Sequence, residues 1–205
     1  MIRNIIFDMG NVLLSYDAMR ACRRHLSDEG DARAVCDAVF RSPEWAMMDA
    51  GTLMEDGLAR IAKKRLATDQ QREAVDALMQ SWHADSLAPY PGVNELLDDL
   101  HARGYKLFVL SNAAASMADH LELLPRRELL SGVVISGVER LIKPDPAIFR
   151  LICERYALDP RECLFIDDNE QNVAGASSVG MKAIWHADGN VERLGKAIGD
   201  ALAQK

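Results

Sequence analysis

The residues equipped for chemistry sit where apolar runs end. Asp8 closes Ile5-Ile6-Phe7 in the stretch FDMGNVL, Ser111-Asn112 closes LFVL, and Asp167-Asp168 closes LFI. Lys143 stands in the loop LIKPD, after the run VVIS. A lone carboxylate at the mouth of a buried strand is costly. Several carboxylates in one small crevice raise each other's pKa unless a cation joins them. A hard divalent ion with oxygen ligands answers that problem, and Mg²⁺ needs few protein ligands because it keeps several waters. An ammonium and backbone N–H groups nearby suit a phosphate. A carboxylate nucleophile, a hard metal and a phosphate clamp together describe phosphoryl transfer through an aspartyl-phosphate.

Each piece alone has an ordinary reading. An Asp at a strand end caps a helix or forms a turn, Ser-Asn is a common cap pair, and Asp167-Asp168-Asn169 suits a helix N-terminus. The ordered set of four is what points to chemistry.

For these groups to meet, their strands must be neighbours. In an open parallel sheet, ligands bind at the carboxyl ends of the strands. Residues 1–14 carry one strand, IRNIIF. From residue 89, the runs KLFVLSN, GVVISG, CLFIDD and MKAIWHA alternate with helical patterns over residues 93–103, 147–156, 169–179 and VERLGKAIGDAL. A further helical stretch is expected between KLFVLSN and GVVISG. This alternation predicts a Rossmann-like, doubly wound α/β core with a parallel sheet and right-handed crossovers, over residues 1–14 and 89–205. The apolar runs are continuous, as in strands buried on both faces. Residues 15–88 read as helical: Leu58, Ile61, Ala62, Leu66 and Val75, Leu78, Met79, Trp82 fall at helical spacing. Breaks near residues 27–31, 42–43 and 49–52 predict about four helices, a small bundle inserted after the first strand.

The 205 residues are 49% hydrophobic and 27% charged, which is the balance of a globular protein. A net charge of −7 argues against a nucleic-acid partner, but a few local cations suffice for a small anionic substrate. No apolar stretch approaches the ~18 residues of a membrane span, and the N-terminus reads as a strand rather than a signal peptide. Cys22, Cys36, Cys153 and Cys163 form no C-x-x-C pair and have no His at ligand spacing, so they read as reduced thiols of a cytoplasmic protein. The five histidines share no motif and are assigned no chemistry.

Taken in order, FDMGN, LSN, LIKPD and FIDDNEQN resemble the four motifs of the haloacid dehalogenase (HAD) superfamily, and the likeness covers nearly the whole chain. The early insertion resembles that family's four-helix cap. The resemblance implies a mobile cap over a Rossmann-like core and a Mg²⁺-dependent hydrolase, a phosphatase acting on a small, sugar phosphate-like metabolite. It implies Asp8 as nucleophile and metal ligand and the Gly10 backbone carbonyl as a second ligand. Ser111 and Asn112 would hold the phosphoryl oxygens, and Lys143 would neutralise nucleophile and phosphate. Asp168 would bind the metal directly, with Asp167 beside it bound to the metal or to its ligands, and Asn172 would be structural.

Most family phosphatases carry an Asp two residues after the nucleophile, where this chain has Gly10. General acid–base help is typically worth ~10²–10⁴ in rate, roughly 3–5 kcal/mol of barrier. Its loss predicts a slow or selective enzyme. The FDxGN variant also resembles a branch that includes bacterial sugar-phosphate phosphatases. Asp17, at the junction with the insertion, is a replacement acid acting through a water, or equally a helix cap.

Two rival readings stand beside the phosphatase. A 2-haloacid dehalogenase of this superfamily needs no metal, and Arg41 would hold its halide. Asp167-Asp168 beside Asp8 weighs against that on charge. The other rival is a non-catalytic phosphate-binding or regulatory protein that keeps the cradle. Substrate choice falls to the insertion, with Arg41 and Trp45 the first candidates, and Met47 and Met48 beside them in SPEWAMMDAG.

Overall fold

Successive residues of a strand face opposite sides of a sheet. An apolar run without alternation therefore needs cover on both sides, and the fold supplies it. The computed structural model describes residues 1–203. β1 (Asn4–Phe7) leads into a short strand β2 (Leu14–Tyr16) and five helices: α1 (Ala18–His25), α2 (Glu29–Val39), α3 (Pro43–Asp49), α4 (Glu55–Lys63) and α5 (Asp69–Ser86). The chain returns through β3 (Leu87–Pro89) to α6 (Val93–Ala102), β4 (Lys106–Ser111), β5 (Leu130–Ile135), α7 (Ser136–Glu139) and α8 (Pro146–Tyr156). It ends with β6 (Cys163–Asp167), α9 (Glu170–Ser178), β7 (Lys182–Trp185) and α10 (Val191–Ala203).

β1, β4, β5, β6 and β7 form one parallel sheet in the order β5-β4-β1-β6-β7. Ile5, Phe7, Leu107, Val109, Leu164 and Ile166 face one side, packed on Val93, Leu97 and Leu100 of α6 and Leu194 and Ile198 of α10. Ile6, Phe108, Leu110 and Phe165 face the other, packed on Ile148, Phe149 and Ile152 of α8. The chain leaves β1 for β4 on one side and reaches β6 on the other, so the switch point of the sheet lies at β1.

Two expectations need correction. The segment after β4 is not a helix but three short 3₁₀ turns, Ala115–Asp119, Leu121–Leu123 and Arg127–Leu129. Pro125 and the left-handed Arg126 (φ 48°) interrupt any longer helix there. The insertion has five helices rather than four. The missed break is a capping box at Thr68, whose side chain accepts from Gln71 N while Gln71 Oε1 accepts from Thr68 N.

The insertion buries a core of its own, including Val35, Met48, Leu58, Leu78 and Trp82. β2 and β3 pair antiparallel, Leu14 opposite Pro89 and Tyr16 opposite Leu87, so the expected boundaries at 14/15 and 88/89 fall inside this ribbon. All four cysteines are buried free thiols, Cys22 beside Cys36 and Cys153 beside Cys163. Among the described residues, no helix is long and apolar enough to cross a membrane.

Candidate active site

Because β4, β1 and β6 are adjacent, their carboxyl ends bring Ser111, Asp8 and Asp167 together. Asp8 N donates to Ile166 O at 2.8 Å, which extends the β1–β6 pairing one residue past the strand and fixes the Asp8 carboxylate at the sheet edge. Lys143 arrives from the loop before α8. Its side chain is fully buried, and Nζ donates to Asp8 Oδ1 (2.8 Å), Asp167 Oδ2 (2.6 Å) and Leu110 O (2.9 Å). Every ammonium proton thus has an acceptor. Burial opposes the lysine's charge, but Asp8 and Asp167 outweigh it and hold its pKa above the usual lysine range. Burial pushes the Asp8 carboxyl well above the usual carboxylate range, Lys143 pulls it back, and the Asp167 charge pushes it up again.

The three carboxylates have different environments. Asp167 Oδ1 accepts from Asn169 N and Asn172 Nδ2, each at 2.9 Å, while Oδ2 takes Lys143. Both of its oxygens are therefore engaged by protein, and its work is to hold the lysine. Asn172 is buried, and its amide goes to Asp167. Asp168 Oδ2 accepts from Asn11 Nδ2 at 2.9 Å, and no protein group takes its other oxygen among the described residues. One oxygen each of Asp8, Asp167 and Asp168 lies within 4.8 Å of the others.

A hard cation fits this donor set. One oxygen of Asp168 has no protein donor among the described residues, and the single lysine of the cluster pairs with Asp8 and Asp167, leaving the Asp168 charge over. In the turn after β1, Asn11 N donates to Leu14 O and Leu14 N to Met9 O, which leaves the Gly10 carbonyl outside those bonds. Asp8, Asp168 and the Gly10 carbonyl are the oxygens suited to Mg²⁺. Lys143 is nonetheless part of the cation that the sequence demanded.

Asn112 departs from expectation. Its Oδ1 accepts from Lys143 N and its Nδ2 donates to Lys143 O, both at 2.9 Å, so the side chain clamps the lysine loop and is not free for phosphoryl oxygens. The buried Ser111 hydroxyl has no protein partner among the described residues and lines the cavity above Asp8.

That cavity is about 200 Å³. Its floor is Asp8, Gly10, Asn11, Ser111, Asn112 and Asp168, and the insertion and its ribbon add Tyr16, Trp45, Asp49, Trp82 and Leu87. Trp45 packs between Phe40 and Trp82, with ring centroids 4.6 and 4.9 Å away. Among the described residues the buried Tyr16 hydroxyl has no hydrogen-bond partner, and burial raises its pKa. Burial and then the Asp8 charge push the Asp49 carboxyl up to about 7.

Asp49 is held by its backbone. Ser136 Oγ accepts from Ala113 N (3.0 Å) and donates to Asp49 O (2.5 Å). Gly51 (φ 67°) lies so close that a Cβ there would sit 2.2 Å from Gly137 O. Only glycine allows this approach.

Other candidates lie elsewhere. Arg41 is exposed at the end of α2, where its guanidinium donates to Asp37 Oδ1 (2.8 Å), one helical turn back. Asp17 is exposed and caps α1, accepting from Arg20 N at 2.9 Å. Met47 is 44% exposed and Met48 is buried in the insertion's core, so Trp45 alone of the SPEWAMMDAG candidates lines the cavity. Sequence reasoning missed Asp49, Tyr16 and Trp82 as lining residues. Asp49 stood in a stretch read as a helix break, and Trp82 matched a core spacing that it also satisfies. Asn11 had a usable signal in FDMGN: it takes φ 59°, a conformation that Asn tolerates.

Residues 2–180 match the model of the haloacid dehalogenase-like hydrolases. (S)-2-haloacid dehalogenase 4A of Burkholderia cepacia is 24% identical over 193 residues, which span 89% of this chain and 82% of that protein. Sesquiterpene phosphatase astK of Aspergillus oryzae is 23% identical over 184 residues, 89% of each chain. A wild-type HAD family enzyme of Bacteroides thetaiotaomicron, solved with magnesium and inorganic phosphate, has the same fold, with a TM-score of 0.69 at 19% identity over 95% of this chain and 99% of that one. With the ordered motifs converging at one edge of the predicted parallel sheet, the chain belongs to the haloacid dehalogenase-like hydrolases.

Proposed function

We propose that this protein is a Mg²⁺-dependent phosphatase that hydrolyses a small phosphorylated metabolite through an aspartyl-phosphate on Asp8. The observation that carries this reading is the unneutralised carboxylate of Asp168 beside Asp8. Lys143 is spent on Asp8 and Asp167, and Asp168 meets only the neutral amide of Asn11. Such a surplus calls for a further cation. A 2-haloacid would add its own carboxylate beside Asp8 and Asp168, and among the described residues no arginine lines the cavity. The chain is similar to relatives of both kinds, a dehalogenase at 24% and a sesquiterpene phosphatase at 23% identity, so the charge balance carries the choice.

In the first step a carboxylate oxygen of Asp8 attacks phosphorus as the ester P–O bond breaks. Lys143, oriented by Asp167 and the Asn112 clamp, keeps a positive charge against the nucleophile and the arriving phosphoryl group. The Ser111 hydroxyl faces the phosphoryl oxygens. Magnesium, when bound by Asp8, Asp168 and the Gly10 carbonyl, supplies charge neutralisation to the phosphoryl group. Water then attacks the acyl phosphate, and Asp8 is regenerated. The aromatic faces of Tyr16, Trp45 and Trp82 suit an uncharged organic part such as the C–H face of a sugar.

A phosphate-release screen over metabolites, with Mg²⁺ and with EDTA, tests the reading, run beside halide release from 2-haloacids. Steady Mg²⁺-dependent phosphate release that vanishes in Asp8→Asn supports it. Metal-independent halide release without phosphate release overturns it in favour of the dehalogenase.

A further inference from the structure

We propose that Asp49 is the proton donor to the leaving oxygen, brought into the cavity by the helical insertion in place of the acid absent at Gly10. This inference rests on the phosphatase reading.

The position of Asp49 has no structural explanation. It is the last residue of α3, where the helix dipole disfavours a carboxylate. It is largely buried, it feels the charge of Asp8, and among the described residues no protein group hydrogen-bonds its side chain. Three unfavourable conditions without a partner describe a group kept for something that enters the cavity. Its backbone, by contrast, is fixed from both sides. Ser136 holds the Asp49 carbonyl and the amide of Ala113, directly after the Ser111-Asn112 pair, and Gly51 seats against Gly137. The carboxyl is thus tied to the same strand ends that hold the phosphoryl site. Burial and the Asp8 charge also favour its protonated form.

The chemistry balances. As the Asp8 oxygen–phosphorus bond forms and the ester P–O bond breaks, the Asp49 proton passes to the departing oxygen and the alcohol leaves neutral. In the second step the Asp49 carboxylate takes a proton from the attacking water, the bond from phosphorus to Asp8 breaks, and phosphate leaves with Asp8 ionised and Asp49 protonated.

The test compares kcat/KM, which reports the first step, for p-nitrophenyl phosphate and phenyl phosphate. The nitrophenolate leaves without a proton, whereas phenoxide needs one. Asp49→Asn is expected to lower kcat/KM for phenyl phosphate about 10²-fold and for p-nitrophenyl phosphate less than about tenfold. Equal losses on both esters assign Asp49 a structural role and overturn the proposal while leaving the phosphatase reading intact. The wild type gives a second measurement that needs no variant. Its kcat/KM is expected to change little across substituted phenyl phosphates, and a steep fall toward poorer leaving groups overturns the proposal. Where neither ester is a substrate, an unchanged kcat/KM of Asp49→Asn on a substrate from the metabolite screen overturns the proposal, and the screen itself judges the phosphatase reading.

Discussion

Asn112 and Lys143 grip each other in both directions: Lys143 N donates to Asn112 Oδ1 and Asn112 Nδ2 donates to Lys143 O, each at 2.9 Å. The amide at the end of β4 therefore fixes the loop that carries Lys143 to Asp8.

Asn112→Ala leaves a backbone N–H and a backbone C=O without their partners, a loss of about 1–3 kcal/mol for each group that stays buried. The expected outcome is a lower Tm together with a kcat about tenfold down, the equivalent of ~1.4 kcal/mol, and little change in KM. A rise in KM with kcat intact would return Asn112 to direct phosphate binding.

Magnesium should raise Tm. At a free concentration a hundredfold above Kd the stabilisation is about 2.7 kcal/mol. Asp168→Asn is expected to abolish that rise. Asp167→Asn should keep it from a lower baseline, because breaking a buried ion pair costs about 3–5 kcal/mol. Thermal shift with Mg²⁺ and with EDTA reads both, and a full magnesium response in Asp168→Asn would remove that residue from the metal site.

The Asp49 carboxyl also makes metal-free stability depend on pH. Its pKa is raised from 3.8 to about 7 on folding, so the folded chain binds this proton more tightly than the unfolded one. The contribution is fully present below the ordinary carboxylate value and is lost as pH rises through about 7. In EDTA, the wild-type Tm is expected to fall more between about pH 5 and pH 8 than that of Asp49→Asn. Parallel Tm profiles would contradict the shift.

Gly10 has nothing within 4 Å of the place where a Cβ would stand. A Cβ at position 10 therefore meets no neighbour, and in an Asp49→Asn background Gly10→Asp should raise kcat/KM for phenyl phosphate by at least about tenfold. No gain would mean that the lost function was not a proton.

Arg41→Ala should leave turnover within about twofold, as for a solvent-exposed ion pair worth ~0.3–0.5 kcal/mol. Trp45→Ala should raise KM more than it lowers kcat, because the ring lines the cavity without touching the carboxylates' network. Steady-state kinetics on a substrate from the phosphate screen separates the two.

The legible parts of this protein were the local ones. Strands buried on both faces, such as β1, β4 and β6, cannot alternate polar and apolar residues, so their runs announced themselves, and Asp8, Asp167 and Asp168 announced the strand ends. The crevice charge was also legible, although part of the neutralising cation proved to be Lys143. What stayed hidden depends on contacts between distant segments. The depth of Asp49 follows from the contacts that its carbonyl and the nearby Gly51 make with Ser136 and Gly137, far along the chain, and the local sequence names neither partner. The Asp37–Arg41 pair is the exception, a contact at i, i+4 spacing that the sequence does display. The division of labour between Asp167 and Asp168 rests on which side chains reach each oxygen, Asn172 and Lys143 for one and Asn11 for the other.

The ribbon formed by Leu14–Tyr16 and Leu87–Pro89 has an evolutionary consequence. The polypeptide departs and returns through two hydrogen-bonded neighbours, about 4.7–4.9 Å apart. Whatever lies between them, from a tight hairpin to an unrelated bundle, can be exchanged without moving a single strand of the parallel sheet. Because Trp45, Asp49 and Trp82 of the inserted segment roof the cavity above Asp8, any such exchange would remake that roof while the strand ends keep their order.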